Sequence, residues 1–586
     1  MKSTTQVKSG LVLDVSPAKS LFLGMLFEEN LFPFPTIRIE EQETLRLVLD
    51  SVDKFLQNRD SEFRKFDVAG EQPAEFLESL KEQGLFGLII PEDFGGIGLS
   101  NLGYSRVLQQ TSRYDASVSL TIGAHSSIGM KGILLSGNAA QKAKYLPKLA
   151  SGELIAAFCL TEAGSGSDAA SIKTYATKNA DGSWQLTGEK IWITNGPTAG
   201  LYTVFAKTDS AQGKMSAFIV ERDWVGVSTG HKEDKLGIRA SATSTVSFNE
   251  VHVPAENLLG EEGKGFKIAM AILNNGRTGL GGGAVGGMKR CIQLAARQAR
   301  DRKQFGKSIA EFGLVREKLA QMTVNCFATE SVVTMVGHYI DSGMQDSSVE
   351  AAISKVFASE SLWSVVNESL QVAGGNGYMR EFPYEKYLRD SRINMIFEGT
   401  NEILRLFIAM SGMKDAGEYL KDIGSSVGKI FNDPIKGFGV LGGYASKKFS
   451  QYTSIGRDRL QHLSPALREQ STVYEQYTQE LAKESEALLR RYKSKVVEEQ
   501  HAMKRIADVA IDCFVGLCVL SRVDSLIAAK GVDKCRDELA ISEIFTQQAK
   551  RRMNQNLRRI DRNEDSLIDA LAERIVEDEG YGWDIL

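Results

Sequence analysis

A chain of 586 residues is too long for one compact core, and a composition of 42% hydrophobic and 25% charged residues is that of an ordinary globular protein, so three or four structural units are expected. The net charge of -4 gives no reason to expect nucleic acid as a partner, and no apolar run reaches the roughly 18 residues that span a bilayer. Six scattered Cys without a CxxC pair read as buried thiols of a reducing compartment, and six scattered His without HExxH spacing argue against a metal.

Met1 to Asp14 has neither the apolar core of a signal peptide nor the Arg-richness of a transit peptide, which predicts a cytoplasmic chain or an already processed one. After an N-terminal extension (1–39), residues 40–155 read as a helical domain. Leu45, Leu47, Val48, Val52 and Phe55 recur at helical spacing, as do Phe76, Leu77 and Leu80. Residues 156–264 read as a β domain of barrel or sandwich size, with strands at 184–187, 202–205, 216–220 and 245–248 between Gly, Asn and Asp turns. Residues 265–423 return to long helices, among them 351–372, and suggest a helical bundle. A Gly-rich linker (424–460) and a charged helical region (461–586) complete the chain. The fold class is therefore mainly α with a β insert.

Six segments carry candidate chemistry, each beside a plainer reading. Gly281–Gly286 (GGGAVG) matches the dinucleotide fingerprint GxGxxG, but its flanks, 266–273 and 288–300, are helical rather than βαβ, so close helix packing is preferred. Phe158–Asp168 (FCLTEAGSGSD) joins an apolar run to a loop dense in Gly, Ser and Thr, which is either a cradle of N–H groups and hydroxyls for a ligand or a solvated turn. In Lys190–Gly196 (KIWITNG), Trp192 is by default a core residue, yet with Thr194 at a strand end it also suits a planar cofactor. Arg302 after a helix is a surface charge or a phosphate partner, and Gln371–Gly377 (QVAGGNG) is at least a helix C-cap. In Ile396–Glu402 (IFEGTNE), Glu398 stands before a Gly among apolar residues. Lost solvation there would raise its pKa toward that of a general base; the alternative is a helix N-terminal preference.

Taken together and in order, these segments resemble the acyl-CoA dehydrogenase family, over roughly residues 34–416. Cys159–Asp168, Trp192–Thr194 and Phe397–Glu402 look like that family's signatures. Leu273–Arg277 (LNNGR), Gly123–Gly129 (GAHSSIG), Lys131–Leu135 (KGILL) and the C-terminal helical region resemble its very-long-chain branch. The resemblance implies an N-terminal helical domain, a middle β-barrel domain and a four-helix bundle, plus an appended helical domain. It also implies FAD between the β domain and the bundle.

The same resemblance assigns cofactor contacts to Phe158, Leu160, Thr161, Gly166, Ser167, Trp192, Ile193, Thr194, Thr400, Asn401 and Glu402. Across a dimer interface it assigns Arg302, Gln304, Phe305, Gln371, Gly374 and Gly375 to the partner's FAD. Ser167, Asn274, Arg277, Phe397 and Gly399 would meet the CoA thioester. Ser119 and Gly123, four apart on one helix face, would leave the acyl pocket open to long chains. Glu398 would remove the α-proton as a hydride leaves the β-carbon for the flavin, giving the trans-2-enoyl-CoA, the first step of fatty acid β-oxidation. Some relatives place the base at the position matching Gly276, which cannot act as one. The family's usual Pro in the FAD loop is Ala163 here.

The implied electron acceptor is electron-transfer flavoprotein, and the appended domain implies a homodimer. Alternatives are an acyl-CoA oxidase using O2 or a non-catalytic assembly protein on the same fold. Within the linker 424–460, apolar residues between Ile430 and Phe449 mix with Lys429, Lys436, Lys447 and Lys448, which suits either peripheral membrane contact or a Gly-rich linker. The location follows as bacterial cytoplasm, or the mitochondrial matrix face for a processed chain.

Overall fold

The computed structural model describes residues 11–209, 213–423 and 458–585. The helices α1 (Ile39–Leu56), α2 (Asp60–Ala69), α3 (Ala74–Glu82), α4 (Asn101–Tyr114), α5 (Ala116–Gly123), α6 (Lys131–Ser136) and α7 (Ala139–Ser151) form the first layer. On α1 the buried stripe is Leu45, Val52 and Leu56; Leu47, read from sequence as part of that stripe, lies on the other side and is 56% exposed. The Asp115 carboxylate accepts the Val118 N–H at 2.9 Å and so starts α5, the helix that carries Ser119 and Gly123. A capping box of Asn138 and Gln141 starts α7, and Gly152 at φ +76° stops it.

The strands β1 (Ala156–Cys159), β2 (Tyr175–Lys178), β3 (Trp184–Thr194), β4 (Leu201–Asp209), β5 (Lys214–Glu221), β6 (Val227–Thr229), β7 (Thr243–Val253) and β8 (Leu258–Leu259) form one sheet in the order β6-β7-β3-β2-β4-β5-β8. The four strands read from sequence all lie inside longer ones. β1 and β2 follow each other along one edge of β4, Ala156 opposite Leu201 and Tyr175 opposite Lys207, so the chain between them must leave the sheet. One sheet face closes on its own core of Trp184, Tyr202, Phe218 and Phe248. The other, with Phe205, Met215 and Ile219, packs on Met130, Leu146 and Ile272 of the helical layers.

The bundle consists of α8 (Gly265–Asp301), α9 (Gly313–Asp341), α10 (Ser348–Ala373) and α12 (Asn401–Ile423), with the short α11 (Tyr384–Arg392) before the last. The two helical flanks of Gly281–Gly286 are one continuous helix, α8. Glycine inside a helix costs about 1 kcal/mol relative to alanine. Here it allows close contact: a Cβ on Gly282 would lie 2.6 Å from Ser105 Oγ, and one on Gly286 2.0 Å from the Gln109 carbonyl of α4.

The appended helices α13 (Arg468–Tyr492), α14 (Gln500–Lys530) and α15 (Arg536–Asp561) share one hydrophobic core with α9, α10 and α12, and α16 (Asp565–Asp578) follows them with no buried residue. The N-terminal stretch enters that core through Ala18, Leu21, Phe22 and Leu31. It is pinned on both sides: Tyr339 donates to the Asn30 carbonyl, while the Glu28 carboxylate accepts the Gln461 and His462 N–H groups. All six cysteines are buried free thiols. No described helix is long and apolar enough to cross a membrane, and of the candidate membrane segment 424–460 residues 424–457 lie outside the described residues.

Candidate active site

A cavity of ≈ 280 Å³ lies where the 160–170 loop, the end of β3, α5, α8 and the 393–404 segment meet. The loop is placed by the sheet topology described above and held from beneath by a buried ion pair. Lys190, fully buried on β3, donates to Glu162 Oε1 at 2.7 Å and to the Leu160 carbonyl at 3.1 Å. The other Glu162 bonds come from the Lys173 and Thr174 N–H groups. Burial works to raise the Glu162 carboxyl, but Lys190 and Thr174 hold it below the usual range. Above this anchor, Thr161, Gly166 and Ser167 line the cavity, and a Cβ at Gly164 or Gly166 would meet nothing within 4 Å.

Trp192 forms the adjoining wall. The pairing of β3 with β7 shifts register between Lys190 and Ile193, and at this bulge Trp192 takes φ +57°. A left-handed aromatic residue is strained, by about 1–3 kcal/mol. The result is a tryptophan 64% exposed at the cavity wall, with Ile193 and Thr194 beside it.

Beyond α5 the helix widens into a π turn, Ala124–Gly129, docked on β1 by the Ala156 N–H donating to His125 Nδ1 at 2.9 Å. Burial pushes His125 down to about 4, which keeps the ring neutral and able to accept that bond. Ser119 and Gly123 of α5 line the cavity, facing Gly279 and Gly283 of α8.

Glu398 sits at φ +55° and Gly399 at φ +93°, a left-handed pair just before α12. Its carboxylate is buried, and Oε2 has no hydrogen-bond partner. Burial lifts its carboxyl above the usual carboxylate range, against the pull of Arg277 and Lys355. A Cβ built on Gly276 would lie 3.7 Å from Glu398 Oε2, so the two alternative positions for a base serve the same spot. Arg277 is buried; it donates to Asn274 Oδ1 at 2.7 Å and reaches the Glu398 carbonyl at 3.4 Å. Burial lowers it to about 10.

Fourteen sequence-derived candidates thus share one cavity: those of the 158–167 and 192–194 segments, Ser119, Gly123, Arg277, and Phe397 to Gly399. Asn274 stands behind Arg277. Thr400 accepts the Ile403 N–H and so caps α12, Asn401 is buried against α10, and Glu402 is exposed. Arg302, Gln304, Phe305, Gln371, Gly374 and Gly375 all lie exposed at the other end of the bundle, where α8 and α10 both finish. Two buried lysines escaped the sequence reading, Lys190 under the loop and Lys355 behind Glu398. For Lys355 the signal was a charge set inside a largely apolar run.

The chain belongs to the acyl-CoA dehydrogenase family. The family models for the N-terminal, middle and C-terminal domains of acyl-CoA dehydrogenase match residues 40–153, 157–251 and 263–413, and that for the ACAD9/ACADV C-terminal domain matches 465–581. The chain is 41% identical over 572 residues to the mitochondrial very long-chain specific acyl-CoA dehydrogenase of Rattus norvegicus, covering 96% of this chain and 86% of that one. The acyl-CoA dehydrogenase complexed with FAD from Bacillus anthracis superposes with a TM-score of 0.78 at 33% identity, over 92% of this chain and 91% of the other. Butyryl-CoA dehydrogenase from Megasphaera elsdenii, at TM-score 0.62 and 37% identity, is covered to 99% but spans only 64% of this chain.

Proposed function

We propose that this chain uses FAD to oxidise long- or very-long-chain fatty acyl-CoA to the trans-2-enoyl-CoA, as the first step of fatty acid β-oxidation. The carrying observation is Glu398: a buried carboxylate at an open cavity, without a partner on Oε2 and with its proton affinity raised by burial. The cavity suits the cofactor. Trp192 offers an exposed ring face, Thr161 and Thr194 offer hydroxyls, and the open loop at Gly164 and Gly166 lets backbone N–H groups come close. FAD, when bound, takes up the hydride that leaves the substrate β-carbon.

The chain's own part is the proton. Glu398 removes it from the α-carbon, and its raised proton affinity makes it a stronger base near neutral pH. Charge then gathers on the thioester oxygen, for which the Glu398 backbone N–H is our candidate donor. Arg277 and Asn274 brace the turn from behind. Ser119, Gly123 and Gly283 keep the far end of the cavity open, which supports a long acyl chain.

The exposed cluster of Arg302, Gln304, Phe305, Gln371, Gly374 and Gly375 supports a homodimer in which these residues meet the partner's FAD. Phe305 is 94% exposed at φ +52°, an unusual state for a residue with no partner surface. We assign electron-transfer flavoprotein as acceptor and peripheral membrane contact to residues 424–460. Failure to float with anionic liposomes at low salt would end the membrane assignment. The bacterial cytoplasm, or the matrix face for a processed chain, is the location that fits.

The test is an anaerobic titration of the flavin-loaded protein with palmitoyl-CoA. Bleaching of the oxidised flavin band that is lost in Glu398→Gln is the expected result. A loaded protein that no saturated acyl-CoA bleaches would overturn the reading.

A further inference from the structure

The hydrogen bonds behind Glu398 lead out of the site and into the appended domain. The carbonyl of Gly399 accepts Lys355 Nζ at 2.7 Å, and the same ammonium donates to Asn401 Oδ1 at 2.9 Å. The Asn401 amide donates to Ser359 Oγ at 3.0 Å and to Glu360 Oε1 at 3.1 Å. Glu360 receives both arms of Arg405, at 2.7 and 2.9 Å. Arg405 Nε donates at 2.6 Å to Asp508 on α14.

We propose that Lys355 is a positioning residue for Glu398, and that Asp508 of the appended domain supports it through Arg405, Glu360 and Asn401. The inference rests on Glu398 being the base. Two consecutive left-handed residues, one of them not glycine, persist only where surrounding bonds over-determine them. Lys355 supplies such a bond at the carbonyl between Gly399 and α12. For stability alone it is a poor choice. It is fully buried, and the bonds of its ammonium go to two neutral oxygens rather than to a carboxylate, where an apolar side chain of the same length would serve. The charged groups facing it are Glu398, Arg277, Glu360 and Glu402. Burial lowers its ammonium to about 7, so below that pH its charge sits beside the base while its hydrogen bonds hold the backbone.

The experiment is the rate of anaerobic flavin reduction by palmitoyl-CoA from pH 5.5 to 9, with the KM and the melting temperature, for Lys355→Met, Lys355→Arg, Asp508→Ala and the Lys355→Met/Asp508→Ala pair. Lys355→Met is expected to slow reduction on the order of 10²-fold with KM little changed. Losing a cation beside Glu398 raises the carboxyl further, so the acid limb of the profile should move about one unit upward, and Lys355→Arg should return it. Asp508→Ala should slow reduction several-fold alone and add nothing in the pair. An unmoved limb in Lys355→Met overturns the positioning role. A normal rate in Asp508→Ala, or effects that multiply in the pair, overturns the part of the appended domain, and that arm stands even where Lys355→Met does not fold. Glu398→Gln is run beside them. Activity surviving there overturns the base and this inference together, whereas activity lost there with a normal Lys355→Met overturns this inference alone.

Discussion

Two buried glutamates in the same bundle are treated in opposite ways. Glu330 on α9 receives Lys289 of α8 at 2.5 Å, Arg106 of α4 at 3.1 Å and Arg522 of α14 at 2.9 Å. Burial pushes its carboxyl up, yet Arg522, Lys289 and Arg106 carry it down to about 2. Glu398 also has two cations near it, but they spend hydrogen bonds on the carbonyls of Glu398 and Gly399, and burial wins. Where three layers of the protein must be joined, the carboxylate is saturated. At Glu398, which we propose takes the proton, the cations hold the backbone and leave the carboxylate free.

The contrast can be broken at either end. Glu398→Gln should lower the rate of flavin bleaching by roughly 10²–10⁴-fold, as removal of a general base does, with the melting temperature unchanged or raised. Glu330→Ala should leave three cations facing each other and cost about 4 kcal/mol of stability, read by denaturant unfolding. The sign follows from its lowered pKa: the Glu330 contribution is present above the ordinary value of 4.5 and is lost as pH falls toward about 2.

Glu350 sharpens the comparison because it stands between the two. Ser16 Oγ and the Ala18 N–H reach one of its oxygens, at 2.5 and 2.9 Å; the other has no partner, and burial lifts it to about 7. A carboxyl raised in the folded state costs stability as pH climbs from 4.5 to about 7, and the cost then stays level. Glu350→Gln should therefore raise stability at pH 8 by about 2 kcal/mol and change little at pH 4, checked by melting curves at both. The smallest effect is expected at Gly283, where a Cβ would find Ser119 Oγ at 3.8 Å and Ser112 Cβ at 4.0 Å. Gly283→Leu should fold and lower kcat/KM for palmitoyl-CoA roughly tenfold relative to octanoyl-CoA.

Much of the fold was legible because each element carries its own punctuation. The apolar repeats of 45–55 and 76–80 marked helices, and the alternation of 184–187 marked a strand. The strand ends were missed, because β3 and β7 run on through a bulge that breaks alternation. The glycine run at 281–286 was read as small residues that allow close helix packing, and it lies within one helix packed on α4; the packing partner itself was not legible. Trp192 reads by default as core, and only the bulge exposes it. Asn401 was read with Thr400 and Glu402 as touching the cofactor; its side chain is committed to Lys355, Ser359 and Glu360.

By itself the sequence determined the order of helical, β, helical and appended regions, the loops that form the cavity, and the residue best suited to act as base. These are written in contiguous stretches, where turn residues and periodicity act over a few neighbours. Only the tertiary structure decided that Glu398 Oε2 is left without a partner while Glu330 is given three, and that Lys355, Arg405 and Asp508 stand in line behind Glu398. Desolvation and ion pairing depend on which groups face one another in space, and those groups come from α4, α8, α10, α12 and α14, far apart along the chain.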